Sequence, residues 1–329
     1  MRIIAKAGRD DIAVIYIADM DQKDDRNSEK LVEFVESLQP PIPRKEKWVL
    51  IISTLYGCPV GCSFCDAGMY YRGKLSKEDM LSQIDFLILN RFGERKVPVE
   101  KFKVQFARMG EPAFNENVLD VLSELPDLYD APGLMPSIST IAPQGTDGFF
   151  ERLLEIKREI YKDRFQLQFS IHTTDEEQRD ALMPVQKWSF KKIGDYGKRF
   201  YTDDGRKITL NFALAEGMSV DPDILHVHFP PDSFIIKLTP INPTFSAKKK
   251  KIVSHILADQ QEYEIIDRLR ESGYEVILSI GEIIENDIGS NCGQHVMNYL
   301  KEQEKGNEVL TDSYTYPLTE MKNEGIPYE

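Results

Sequence analysis

Short apolar runs alternate along this chain with longer stretches in which apolar residues recur every three to four positions, and these two periods separate strands from helices. Residues 2–7 and 12–18 carry alternating or continuous apolar character on either side of the polar turn Gly8-Arg9-Asp10, which predicts a β hairpin. A polar stretch over 19–29 and an apolar segment over 31–38 follow. Pro40-Pro41-Ile42-Pro43 then marks an extended connector, and a boundary is expected near Pro43. Residues 48–55 are a largely apolar run of strand length, suited to a strand buried on both faces of a parallel sheet. Ser76-Lys77-Glu78-Asp79 offers a capping-box-like start to an amphipathic helix ending near Phe92. Strand patterns recur at 103–107, 135–141, 165–172, 207–213, 234–239 and 274–280. Helical patterns lie between them at 115–125, 149–161, 174–182 (stopped by Pro184), 190–201, 223–227 and 259–272. Strands alternating with helices mean parallel strands, so the expected class is α/β, an open or closed β/α barrel. The expected layout is an N-terminal β hairpin and linker over 1–43, the barrel over 44–298, and a polar, partly irregular tail over 299–329.

Three of the four cysteines fall in one loop leaving the first barrel strand, Gly57-Cys58-Pro59-Val60-Gly61-Cys62-Ser63-Phe64-Cys65. Thiolates at this spacing can curl around one metal centre, and three of them leave one position of a four-iron, four-sulfur cluster open. The rival readings are a zinc site and buried inert thiols. Structural zinc wants four ligands, usually with a second C-x-x-C pair, and none lies downstream.

Cys58, Cys62 and Cys65, with Phe64 just before the last of them, resemble the signature of the radical S-adenosylmethionine (SAM) superfamily. The resemblance implies a partial (β/α)6-type barrel and a 4Fe-4S cluster whose open iron chelates the amino and carboxylate groups of SAM. It also implies an electron donor such as flavodoxin or ferredoxin, and reductive cleavage of SAM to a 5′-deoxyadenosyl radical that abstracts hydrogen.

Functional residues of β/α barrels collect on loops at the C-terminal ends of the strands. Met109-Gly110-Glu111-Pro112 follows the second strand, a glycine for close approach beside a carboxylate able to hold an ammonium group. Alone such a turn is commonplace; after the cysteine loop it resembles the SAM-binding turn of radical SAM enzymes. Ser139 and Thr140 end the third strand, Ser170-Ile171-His172 end the fourth, and Asn242-Pro243 follow the sixth. A lone histidine at a strand end is more often structural, and serines there commonly bond backbone. With Arg179-Asp180, Pro184 and Cys292-Gly293-Gln294, these segments resemble, over residues 48–297, the radical SAM adenine methyltransferases that modify ribosomal and transfer RNA at carbon 2 or carbon 8. The resemblance implies that Gly110, Glu111, Ser139, Ser170, Ile171, His172 and Asn242 contact SAM, and that Cys292 carries a methyl group. Those adenine carbons are not nucleophilic, and the implied route goes around that obstacle. One SAM methylates the cysteine, the radical from a second removes a hydrogen from that methyl, and the methylene radical adds to the base. Cys292 lies in a glycine-flanked polar loop after the last strand. The ordinary role of a lone cysteine is a small buried hydrophobe, which such surroundings disfavour.

The chain departs from that family in places. The family's second cysteine, seven residues before the first cluster cysteine, is Ile51 here. Its proton-abstracting glutamate is matched by Glu33, with Glu36 competing. The N-terminal region is too short for the usual RNA-binding accessory domain. A net charge of −13 argues against broad, nonspecific adhesion to nucleic acid. Lys248-Lys249-Lys250-Lys251 points the other way: such a run is usually a solvated surface, but at a barrel mouth it would meet phosphates. The chain shows no apolar run of about eighteen residues and no secretory-signal layout, so a cytoplasmic protein with no membrane partner is expected. Three functions fit: an RNA adenine methyltransferase-like enzyme; a radical SAM enzyme acting on a small molecule, nucleotide or peptide; and a noncatalytic iron–sulfur protein. Intact Gly110-Glu111 and Asn242 speak against the last.

Overall fold

The computed structural model describes residues 1–21, 30–38, 41–203, 205–257, 260, 262–280, 288–289, 295–297, 299–300 and 318–321. Strands β1 (Arg2–Arg9), β2 (Ala13–Asp19) and β3 (Leu31–Ser37) form an antiparallel meander, and β3 pairs antiparallel with β4 (Lys47–Ile52), setting Val35 opposite Ile51. The predicted hairpin is present, but the apolar segment after it is a third strand, continuous with the barrel sheet.

From β4 the chain makes a small antiparallel flap, β5 (Leu55–Gly57) and β6 (Tyr71–Lys74), that brackets the cysteine loop. Then come α1 (Lys77–Phe92), β7 (Lys101–Phe106), α2 (Asn117–Leu128), β8 (Leu134–Thr140), α3 (Asp147–Ile156), β9 (Gln166–Ser170), α4 (Glu176–Leu182), α5 (Phe190–Phe200), β10 (Ile208–Ala213), α6 (Pro222–His228), β11 (Phe234–Thr239), α7 (Phe245–Lys249), α8 (Glu264–Glu271), β12 (Val276–Leu278) and β13 (Thr319–Glu320). Strands β4, β7, β8, β9, β10, β11 and β12 lie side by side in chain order and pair in parallel, while β13 caps the far edge beyond β1. Helices α1, α2, α3, α5, α6 and α8 pack on the outer face of this sheet, so the predicted partial β/α barrel is present.

Helix α1 starts with the predicted capping box: the Asp79 N–H donates to Ser76 Oγ at 3.0 Å and the Ser76 N–H to Asp79 Oδ2 at 3.1 Å. It ends at Gly93, whose φ of +70° is the left-handed conformation of a helix C-cap. Helix α8 begins at Glu264, later than the sequence pattern implied, and α7 was not anticipated.

The barrel strands sort their residues by face. Phe102, Val104, Phe106, Ile138, Leu167, Phe169, Leu210, Phe212, Ile236 and Leu238 face the helices and form one dry core with them. On the other face Lys103, Gln105, Ser139, Gln168 and Lys237 remain partly accessible. The period of two thus divides a packed outside from a polar concave inside. Among the described residues no helix is long and apolar enough to cross a membrane.

Candidate active site

The cysteine loop is folded by its own backbone. The Cys58 N–H donates to the Ala67 carbonyl at 2.8 Å, the Cys65 N–H to that of Cys62 at 3.1 Å, and Gly57 and Gly61 take positive φ at the bends. Each neighbouring strand-end loop then grips it. Ser63 donates from its N–H to the Leu182 carbonyl at 2.8 Å and from its hydroxyl to the Ala181 carbonyl at 3.0 Å. Thr244 Oγ1 donates to the Phe64 carbonyl at 2.7 Å. The buried Asp66 carboxylate accepts the N–H groups of Phe245 and Ser246 at 3.0 and 2.8 Å, capping α7 against the loop. Phe64 meets the His172 ring edge-on at 5.1 Å between centroids. Val60, Ile141, Leu182 and Met183 are buried together, with Cys58, Cys62 and Phe64 packed against them.

The Gly110 turn closes the other side. Gly110 has φ +104°, and a Cβ there would stand 2.6 Å from Leu55 Cβ, so only glycine fits. Glu111 is buried: one carboxylate oxygen accepts the Ala113 N–H at 3.1 Å and the Thr140 hydroxyl, the other the Ile141 N–H at 2.9 Å. Burial pushes its carboxyl up to about 7 against those three donors. The turn and the cysteine loop touch, since backbone N–H groups of Val60, Gly61 and Glu111 hydrogen-bond the Cys58 sulfur.

The remaining candidates line the same end of the barrel. The N–H groups of Ile171 and His172 both donate to the Asn211 carbonyl, at 2.9 and 3.2 Å. His172 sits at φ +66° with Nδ1 accepting the Ala213 N–H at 3.0 Å, and burial, aided by Arg179, holds its ring neutral by lowering its pKa to about 3. Ser139 Oγ accepts from Gln168 at 3.3 Å; Ser170 ends β9 partly exposed, and Asn242 is buried after β11. Lys248 to Lys251 are exposed, and Lys250 Nζ donates to Ser63 Oγ at 3.3 Å, bringing the basic run to the rim of the cysteine loop.

Glu33 and Glu36 lie on opposite faces of β3. Glu36 turns toward α1, where it pairs with Arg91 at 2.6 Å and accepts from Tyr16 and Trp48. Glu33 turns inward: its Oε1 is 2.7 Å from Arg108 Nε and its Oε2 accepts the Val296 N–H at 2.8 Å. The Arg108 guanidinium donates twice more to the Gly289 carbonyl, at 3.2 and 3.1 Å. Ile51 packs in the same neighbourhood with Val35, Val49 and Ile288. Cys292 itself lies outside the described residues. Asp66 and Arg108 were not singled out by sequence; each sits one residue from a recognised motif, which is the only local signal they carry.

Burial pushes the Cys58 and Cys62 thiols up to about 12. Thiols in such a pocket stay protonated unless a multivalent metal centre claims them. Among the described residues no three His, Cys, Asp or Glu side chains converge on one ion. A cubane takes one thiolate per iron, so the donor set fits a three-cysteine cluster rather than a single ion.

The cysteine loop thus stands at the end of the first strand of a sequential, parallel partial barrel. The chain shares this fold with a radical SAM methyltransferase from Sphaerobacter thermophilus, at a TM-score of 0.64 and 20% identity, covering 89% of this chain and 81% of that one. In sequence it is similar to the ribosomal RNA large subunit methyltransferase N of Nitrosopumilus maritimus, 28% identical over 252 residues (74% of this chain, 67% of the relative). It is also similar to the dual-specificity RNA methyltransferase RlmN of Wolinella succinogenes, 26% identical over 285 residues (84% and 75%). The probable dual-specificity RNA methyltransferase RlmN of Chlorobium phaeobacteroides is 27% identical over 235 residues (66% and 62%). No family model matches the chain.

Proposed function

We propose that the chain is a radical SAM enzyme that methylates an adenine carbon of RNA; its relatives in sequence are named as RNA methyltransferases. The observation that carries this reading is the meeting, around one cysteine loop, of residues from the ends of β7, β8, β9 and β11: Glu111, Ile141, His172 and Thr244 all contact it. A binder with no need to hold SAM would not require that convergence.

In this reading Cys58, Cys62 and Cys65 hold a 4Fe-4S cluster, and Gly110, Glu111, Ser139, Ser170, Ile171, His172 and Asn242 surround SAM. When bound, the cluster supplies the electron, drawn from a donor protein such as flavodoxin or ferredoxin, that cleaves SAM. The protein's own contribution is positioning and exclusion of water. The Cys58 N–H bonds hold the loop, Val60, Ile141, Leu182 and Met183 keep it dry, and the neutral His172 offers its ring without adding a second positive charge beside a sulfonium. Cys292 is the proposed methyl carrier. Glu33 is the proposed proton-abstracting residue; its hydrogen-bond partner Val296 lies four residues beyond Cys292 in the sequence.

The test is anaerobic reconstitution followed by incubation with SAM and the mass of the Cys292 peptide, beside Cys292→Ala. A methyl on Cys292 is expected. An unmodified Cys292 with 5′-deoxyadenosine still released on reduction would overturn the methyl-carrier role and favour a radical enzyme with another substrate.

A further inference from the structure

The outer border of the cysteine loop is made by two elements that the loop itself holds in place. Strand β6 follows it directly, and the Cys58 N–H donates to the carbonyls of Ala67 and Tyr70 on the way there. Helix α7 is held on the loop by Asp66, whose carboxylate accepts the Phe245 and Ser246 N–H groups. Both elements are basic. Residues 58–74 and 240–257 carry Arg72, Lys74 and Lys248 to Lys251 against a single acid, Asp66, which is buried and committed to α7. All six cations are exposed, in a chain whose net charge is −13. Among the described residues no ion pair engages Arg72, Lys74, Lys249, Lys250 or Lys251; Lys250 donates to Ser63 Oγ at 3.3 Å and Arg72 to the Tyr71 carbonyl at 3.1 Å.

A lysine run is ordinarily a solvated surface. Here the cations come from two elements remote in sequence, and the cysteine loop is what joins them. Lys250 reaches Ser63, which stands between Cys62 and Cys65. Tyr71 and Val253, both exposed, flank the cations in the chain and offer apolar surface that a phosphate backbone does not use. Glu111 and His172 meet the loop from the barrel side, through the Cys58 sulfur and the Phe64 ring, so the exposed border reaches the cysteines without crossing the concave face. An acidic partner is repelled by the net charge of the chain and admitted where its cations are concentrated.

We infer that this border, β6 on one side and α7 on the other, is the docking surface of an acidic one-electron donor protein. The inference rests on the proposed function for the need of an outside electron; the place and the charge of the partner follow from the cations. One electron leaves the donor and enters the cluster held by Cys58, Cys62 and Cys65. The donor is oxidised by one electron, the cluster is reduced by one, and no bond in this chain forms or breaks. A transient encounter of this kind needs little buried area and takes its speed from charge.

The probe is an acidic flavodoxin, offered to the full-length reconstituted protein, wild type beside Lys74→Glu, Lys249→Glu, their double variant and Lys198→Glu. Lys198 is exposed near the C-terminal end of α5 and carries the same change of charge away from the loop. Binding is read from the fluorescence polarisation of labelled flavodoxin. Reduction is read from the bleaching of the visible absorbance on mixing with reduced flavodoxin, and photoreduced deazaflavin, a small reductant that needs no docking surface, is the reference. Wild-type binding is expected to weaken steeply as salt rises from about 0.05 to 0.5 M. The double variant should bind flavodoxin, and be reduced by it, about tenfold less well than the wild type. Its deazaflavin rate and thermal midpoint should not change, and Lys198→Glu should match the wild type throughout. No binding by the wild type, binding indifferent to salt, or binding that survives in the double variant would each overturn the inference. So would a double variant that loses only its retention of an RNA oligonucleotide, since the cations would then serve phosphates. Release of 5′-deoxyadenosine from SAM is measured on the same wild-type preparation. Its absence would sink the radical SAM reading while leaving the docking surface to stand or fall on the binding data alone.

Discussion

Replacing Arg108 by methionine perturbs the most deeply buried ion pair of the described structure and gives a sharp test of how the inner face is held. The Arg108 and Glu33 side chains are 1% and 0% exposed, 2.7 Å apart, and they tie the Gly289 carbonyl and the Val296 N–H to the end of β7 and to β3. Arg108→Met strands a carboxylate with one remaining donor, and Glu33→Leu strands a guanidinium; each should cost about 3–5 kcal/mol, the usual penalty for an uncompensated buried charge. The double variant Glu33→Leu/Arg108→Met leaves two apolar side chains beside Ile51 and Ile288 and should lose only about 1–2 kcal/mol, most of it from the unpaired Gly289 and Val296 backbone groups. The coupling is therefore about 4 kcal/mol or more, far outside additivity. Urea unfolding of all four proteins, followed by the fluorescence of Trp48 and Trp188, measures the cycle, and hydrogen exchange at the Val296 amide reports the clamp directly. Single variants that lose less than about 1 kcal/mol, or losses that simply add in the double, would refute the description of this pair as a mutually dependent clamp.

His172 predicts an acid-labile fold. Its folded pKa of about 3 lies below the ordinary 6.5, so its stabilising share is complete above pH 6.5 and is lost as pH falls, by about 1.4 kcal/mol per unit. His172→Asn, which tolerates the positive φ, should flatten the stability–pH slope between pH 6.5 and 4; an unchanged slope would show that another group titrates there. Gly110→Ala should cost more than about 3 kcal/mol or abolish soluble expression. Leu55→Ala should not rescue it, because the new Cβ also meets the Leu55 backbone nitrogen at 2.8 Å; recovery of the wild-type thermal midpoint in the double variant would count against this. Asp66→Ala removes the acceptor of two N–H groups at the start of α7, a loss of about 1–2 kcal/mol, and should lower the iron retained per chain after desalting. Wild-type iron retention would show that α7 is not needed to hold the cysteine loop.

The alternation of strands and helices, the capping box at Ser76 and the cysteine loop were all legible in the sequence, because each depends on residues within one or two turns of one another. Strand spacing also placed Gly110, Ser139, Ser170, His172 and Asn242 at one end of the barrel before any coordinates. β3 was not legible. Its two glutamates argue against a buried strand until Arg91 and Arg108 are seen to neutralise them, and those partners lie far along the chain, Arg91 at a separation of 55 residues from Glu36. Choosing Glu33 over Glu36 likewise required knowing which face of β3 looks inward. Helix α7 has only five residues, and beside its own N-cap Thr244 its first two N–H groups are held by Asp66, the nearer of them 179 residues away in sequence. Most telling is Lys103: in the sequence it is one more polar position in an alternating strand, and only the closing of the sheet surrounds it with cations. Local propensity and period thus determined the elements and their order, whereas the partners of buried charges were decided by the tertiary structure, since Coulomb and desolvation energies depend on distances in space that the sequence does not contain.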